Sequence, residues 1–174
     1  LGTTTVVATL LDLNTGAPAA VKSILNKQQP FGADVITRIS ATMMDPEGLT
    51  KLRQLAQETL AQLTAEVCDE ANIDPNNVYE VSLAGNATMT QILLGIDPEP
   101  LGVAPFIMAT ADYEPVAATE LGIKIHPRGK AIIMPSLGAY VGGDIVAGAL
   151  ASGMDRDKRL RLFIDVGTNC EIIL

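Results

Sequence analysis

Apolar positions along this chain alternate between strand-like runs and helical spacing. Thr3 to Leu13 is apolar and β-branched, and Asn14-Thr15-Gly16 is a turn signal. Val21 to Asn26 can return antiparallel to it, so the chain is expected to open with a hairpin. Asp34 to Met43 has Val35, Ile36, Ile39 and Met43 on one helical face. Asp45-Pro46-Glu47 reads as an N-cap with Pro at the first helical position. The helix it opens is expected to reach about Ala71. Leu49, Leu52, Ala56, Leu60, Leu63 and Val67 form its apolar face, and Asn72 and Asp74-Pro75 stop it.

The second half reads as shorter elements. Val78 to Ala84 is a strand, followed by Gly85-Asn86 and a helix from Ala87 to Leu94 closed by Gly95. Pro98, Pro100, Pro105 and Pro115 make residues 97–120 irregular. Ile123 to Ile125 is expected as a short edge strand and Ala131 to Met134 as a buried one. Gly142-Gly143-Asp144 opens a helix to about Ala151. Leu160 to Asp165 reads as a buried strand, and Glu171 to Leu174 as its hairpin partner.

Composition narrows the class. The 174 residues are 48% hydrophobic but only 3% aromatic, so Val, Ile, Leu, Ala and Met must fill the core, as suits an α/β protein. The net charge of −8 argues against a nucleic-acid partner. Arg156, Lys158, Arg159 and Arg161 are interrupted by Asp155 and Asp157, so they read as a solvated loop. Two distant cysteines, Cys68 and Cys170, form no disulfide framework, which suggests a reducing, cytoplasmic setting. No apolar run is long enough for a membrane span, so no membrane partner is expected. The missing initiator Met and the strand-like start suggest a piece of a longer protein.

Two turns bear candidate chemistry. In Asp165-Val166-Gly167-Thr168-Asn169, an apolar strand delivers Asp165 to a sheet edge. Gly167 permits a tight turn, and successive N–H groups at Gly167, Thr168 and Asn169 can form a concave anion site. The Thr168 hydroxyl and Asn169 amide add donors. The Asp165 carboxylate suits Mg²⁺ bound through water. Gly2-Thr3-Thr4-Thr5 repeats the design ahead of another apolar strand. One such turn alone reads as an ordinary hairpin. Two of them, at opposite ends of one domain, point to phosphate binding. Asp144 either caps its helix or faces the nucleotide, and both roles stay open. Ala147, Gly148, Ala149, Ala151 and Gly153 give that helix a small-residue face, which a hinge between lobes would use.

Other motifs are missing. Gly122 and Gly129-Lys130 have the wrong spacing for a P-loop, and Ala131 replaces the required Ser or Thr. No GxGxxG or G-x-S-x-G sequence occurs. His126 is the only histidine, which removes His-dependent triads and multi-His metal sites, and it reads as a strand-end residue. Cys68 is expected to be buried on the long helix. Cys170 reads as a small side chain tolerated in a hairpin, with a redox-sensitive thiol as the sharper alternative.

The chain resembles the C-terminal ATPase domain of the reductive activators of corrinoid proteins, within the superfamily of acetate and sugar kinases, Hsp70 and actin. The specific stretches are Phe31-Gly32-Ala33-Asp34-Val35-Ile36, Gly85-Asn86-Ala87-Thr88-Met89, Leu94-Gly95-Ile96-Asp97-Pro98, Leu101-Gly102-Val103-Ala104-Pro105-Phe106 and Gly142-Gly143-Asp144-Ile145-Val146-Ala147-Gly148. The two Gly-Thr turns mark only the superfamily.

The resemblance implies a ribonuclease H-like, actin-type ATPase lobe, with a mixed sheet, an antiparallel hairpin and flanking helices. Residues 1–159 would form the first lobe and 160–174 the opening hairpin of a second. The implied cofactors are ATP and Mg²⁺, with phosphate on Gly2, Thr3, Thr4, Thr5, Gly167, Thr168 and Asn169. Asp165 and Asp144 would take the catalytic positions. The whole protein would be an ATPase, with a [2Fe–2S] domain outside this chain, and this chain alone would be inactive. The implied partner is a corrinoid protein, such as a corrinoid iron-sulfur protein or a methyltransferase's corrinoid subunit, reduced from Co(II) to Co(I). A homodimer is left open. Two positions depart from the family pattern: no Asp precedes Gly2, and Cys170 stands where Gly is usual. The alternatives are another actin-like-fold enzyme, such as a kinase or dehydratase activator, or a non-enzymatic actin-like module.

Overall fold

The computed structural model describes all residues 1–174. The opening hairpin is present. β1 (Thr5–Leu11) pairs antiparallel with β2 (Pro18–Leu25), with Val6 opposite Ile24. Asp12 organises the turn by accepting from the Asn14 N–H at 2.9 Å and the Thr15 hydroxyl at 3.0 Å.

α1 (Val35–Met44) starts at Asp34, whose carboxylate accepts from the Thr37 N–H at 2.8 Å. Its inner face differs from the expected one. Ile36 and Met43 are exposed, and Arg38 is buried beside Ile39. Arg38 turns inward because four acceptors meet it there, as described below.

α2 (Gly48–Ala71) begins later than Asp45 suggested. Asp45 instead accepts from the Glu47 N–H at 2.9 Å and pairs with Lys51. It therefore shapes the turn before the helix rather than capping it. Leu52, Ala56, Leu60, Leu63 and Val67 are buried as the spacing predicts, and Asn72 closes the helix in the left-handed conformation, φ 53°.

β3 (Glu80–Leu83) and β5 (Lys130–Ile133) pair in parallel, with β4 (Val116–Ala117) antiparallel on the other edge of β5. The edge strand is thus Val116–Ala117, not Ile123 to Ile125. Those residues run as irregular chain between Gly122, at φ 73°, and Pro127, with Ile123 and Ile125 pointing into the core. The strands form a two-stranded, a three-stranded and a second two-stranded sheet rather than one continuous sheet. The Leu1 nitrogen donates to the Ala84 carbonyl at 2.5 Å, linking the chain before β1 to the end of β3.

α3 (Ala87–Leu94) is buried from Ala87 to Leu93, between α2 and the first turn. The short α4 (Glu99–Gly102) packs against α1. One core joins Val6 of the hairpin, Leu60 and Leu63 of α2, Leu93 of α3 and Ile133 of β5. Cys68 is fully buried in a smaller cluster with Ala20 and Val67.

α5 (Gly143–Ser152) leads to the final hairpin, β6 (Phe163–Val166) with β7 (Cys170–Ile173). β6 is not the buried strand expected. Leu162, Ile164 and Val166 are exposed, because only the alternate face, at Phe163, meets α5. There the small side of α5 is used: a Cβ on Gly148 would run into the Phe163 ring. The basic loop is partly neutralised from within: Arg159 and Arg161 both bind Asp157 and hold its carboxyl down at about 2.

Candidate functional site

The two Gly-Thr turns face each other across a cleft of about 890 Å³. Gly2, Thr3, Thr4 and Thr5 line one side, and Asp165, Val166, Gly167, Thr168 and Asn169 the other. The Thr4 and Thr168 hydroxyl oxygens are 3.3 Å apart, although 164 positions separate them in sequence. Asn86, Asp144 and Glu171 complete the polar wall, and the residues given a phosphate, metal or catalytic role in the sequence all line this cleft.

The first turn is shaped by what happens to its carbonyls. The Gly2 carbonyl accepts from Asn26 Nδ2 at 2.9 Å, that of Thr3 from Arg38 Nη2 at 2.6 Å, and that of Thr4 from the Asn26 N–H at 2.8 Å. All three acceptors are therefore drawn into the protein. The N–H groups of Gly2, Thr3 and Thr4 take no partner in the chain. A turn with bound carbonyls and free N–H groups has the geometry to receive an anion. Gly2 is required, because a Cβ there would strike the Thr5 carbonyl.

The second turn differs from its expected form. The Gly167 N–H donates to the Asn169 carbonyl at 2.9 Å, so it is not available to a ligand. The N–H groups of Thr168 and Asn169, with the Thr168 hydroxyl, remain for that purpose.

Asn86 is a site residue that the chain reading passed over. Its Oδ1 accepts from the Met89 N–H at 2.9 Å, which caps α3, and its Nδ2 donates to Thr3 Oγ1 at 3.0 Å. One amide thus fixes a helix start and a turn hydroxyl together. Asn before a helix was legible as a cap. Its reach to Thr3, 83 positions away, was not. Glu171 was also missed; strand alternation from Asn169 places it on the cleft side of β7.

Asp144 is not the N-cap. Gly142 occupies that position, and Asp144 lies inside the first turn, accepting from the Ile145 N–H at 2.9 Å. Burial raises its pKa above the ordinary Asp range, the Ile145 N–H opposes this, and the Asp165 charge adds to the rise. Glu171 is raised too, first by burial and then by Asp144 and Asp165. A raised carboxyl penalises the folded state only while it is ionised. Asp144→Asn should therefore raise the melting temperature at pH 7 in metal-free buffer. The gain should shrink as pH falls through the raised folded pKa toward the ordinary Asp value, where both side chains are neutral. Calorimetry across that window checks this, and a gain independent of pH would count against it.

Three carboxylates and no Lys or Arg line the cleft. A polyphosphate fits the N–H and hydroxyl donors, but its charge would meet those carboxylates unless a cation lay between. No three His, Cys, Asp or Glu side chains converge as a ready metal cage. A hydrated Mg²⁺ would need only one or two carboxylates beside a phosphate.

His126 is elsewhere, its ring tilted at 44° against Tyr79 with centroids 5.0 Å apart and its Nδ1 accepting from the Arg128 N–H. Cys170 is exposed at the start of β7, opposite Val166. No helix is long and apolar enough to cross a membrane.

Known proteins bear on this geometry. The chain is 41% identical over 172 residues to the corrinoid activation enzyme RamQ of Eubacterium limosum, covering 99% of this chain and 29% of that protein. A solved structure described as a reductive activator for corrinoid, iron-sulfur protein superposes with a TM-score of 0.95 at 41% identity, covering 99% of this chain and 27% of that one. The chain thus spans less than a third of the relatives it matches. A family model described as RACo middle region matches residues 1–157. By this match, over most of its length, the chain belongs to the RACo middle region family.

Proposed function

We propose that this chain forms the phosphate-binding wall of an actin-type ATPase lobe in a reductive activator of a corrinoid protein. The observation that supports it best is the pairing of two Gly-Thr turns across one acidic cleft, with Thr4 and Thr168 within 3.3 Å. The names of the two relatives support the corrinoid part.

In this reading, the free N–H groups of Thr3 and Thr4 bind one set of phosphate oxygens. Thr168 and Asn169 bind the other. Asp165 would hold a Mg²⁺ ion through water, which would supply positive charge beside the phosphates, and Asp144, a stronger base for its raised pKa, would orient a water at the phosphate when ionised. Gly2 and Gly167 give the backbone its tight turns. ATP bound here would supply the free energy for reducing Co(II) to Co(I), with electrons from a [2Fe–2S] domain elsewhere in the protein. That coupling requires the nucleotide states to favour different geometries of the complex with the corrinoid partner. The two turns lie on separate hairpins, so a ligand gripping both would fix β6–β7 against β1–β2.

The test uses the intact protein, a reduced electron donor, a corrinoid protein and Mg²⁺. Loss of the Co(II) electron paramagnetic resonance signal should require ATP hydrolysis. Equal reduction without nucleotide would refute the proposal.

A further inference from the structure

Arg38 is 0% exposed and has no carboxylate partner within salt-bridge distance. Burying a charge this way is costly unless its donors are satisfied. Here each of its three nitrogens has a partner: Nε donates to the Gly32 carbonyl at 3.1 Å, Nη1 to Gln28 Oε1 at 2.8 Å, and Nη2 to the Thr3 carbonyl at 2.6 Å. Nη1 also lies 3.2 Å from Met89 Sδ. Gln28, itself 0% exposed, is fixed by its Nε2 donating to the Leu52 carbonyl at 2.8 Å. The guanidinium is thus clamped between α1, α2, α3 and the first Gly-Thr turn. An apolar side chain here would leave the Gly32 and Thr3 carbonyls and Gln28 Oε1 unpaired, so Arg38 supports the fold as well as the turn.

The contact with Thr3 gives the charge a use. The Thr3 C=O and the Thr4 N–H belong to one peptide unit. A cation hydrogen-bonded to the carbonyl polarises that unit and makes its N–H a stronger donor. That N–H is free at the edge of a cleft whose own charged side chains are all acidic.

We propose that Arg38 is a positioning residue for the phosphate turn, acting through the Thr3–Thr4 peptide to orient and strengthen the Thr4 N–H toward a bound phosphate. The inference rests on the nucleotide reading of the cleft given above. Arg38 also supplies buried positive charge behind the turn without offering a side chain to the ligand, so the cleft stays open to a hydrated cation.

The test compares Arg38→Met and Arg38→Lys with wild type in the intact protein, measuring kcat and KM for MgATP and the melting temperature. A purely structural role would reduce the amount of active protein and lower kcat while leaving KM alone. The positioning role predicts that Arg38→Met raises KM about tenfold, the scale of a charge-assisted hydrogen bond. Arg38→Lys keeps the charge but loses the fork, and should recover part of that rise. Should Arg38→Met fail to fold, Arg38→Lys decides: a KM raised about threefold supports the proposal, and a wild-type KM overturns it. Wild-type KM in both variants also overturns it. If the wild-type protein neither binds nor hydrolyses MgATP, the nucleotide reading itself has failed, which is a separate result.

Discussion

Replacing Asp165 with Asn in the intact protein is expected to lower Mg²⁺-dependent ATP hydrolysis by about 10²–10³-fold, the usual scale for losing a group that stabilises charge during reaction. Asp165 is the penultimate residue of β6 and lines the cleft, with Asp144 and Glu171 close enough for its charge to raise both their pKa values. Two opposing effects follow from deleting that charge. Without Mg²⁺, the cleft becomes less repulsive, so pyrophosphate should bind more tightly to Asp165→Asn than to wild type. With Mg²⁺, the carboxylate that orients the hydrated ion is gone, so pyrophosphate should bind less tightly. Titration calorimetry with and without the ion checks the reversal. A variant weaker under both conditions would mean that Asp165 shapes the turn rather than holding a cation. A variant unchanged under both would remove it from the site.

The second large effect is expected at Gly142, which brings the starts of α3 and α5 into backbone contact. A Cβ there would lie 2.5 Å from Asn86 Cα, 2.8 Å from the Ala87 nitrogen and 2.8 Å from Asp144 Oδ1. Two of these atoms are backbone and cannot rotate away. Gly142→Ala must therefore push the helix starts apart, at a cost of about 1–3 kcal/mol, the scale of overpacking a tight interior. The displaced residues are Asn86, which holds Thr3 Oγ1, and Asp144, which lines the cleft. Hydrolysis should fall by more than the loss of folded protein explains. Matching a denaturation curve to a kcat measured on folded protein separates the two. A stable variant with normal kcat would show that the helix starts do not set the cleft.

Much of this arrangement was legible in the chain. The helical spacing of Leu52, Ala56, Leu60, Leu63 and Val67 announces one buried face of α2, and Asn86 and Gly95 punctuate α3. The two Gly-Thr turns were readable because glycine permits a tight turn that other residues disfavour, and each adjoins an apolar strand. What remained hidden depends on distant contacts. Arg38 sits on a polar position of α1 by every local measure, and charged residues are rarely fully buried. Its burial needs the Gly32 and Thr3 carbonyls and Gln28 together, and no short window contains all three. The exposed face of β6 was misjudged for a related reason. An apolar run says that a strand can be covered, not which element covers it, and here only Phe163 meets α5. The Gly167 N–H was counted as free because the spacing of a turn does not reveal its internal hydrogen bond to Asn169.

The central claim is that the two turns grip one polyphosphate. It is tested most directly by a crystal structure of the intact protein with Mg²⁺ and a non-hydrolysable ATP analogue. The account predicts phosphate oxygens within hydrogen-bond distance of the Thr4 N–H on one side and Thr168 on the other, with a hydrated ion beside Asp165. A triphosphate bound elsewhere, or one touching a single turn while the other stays in solvent, would contradict it.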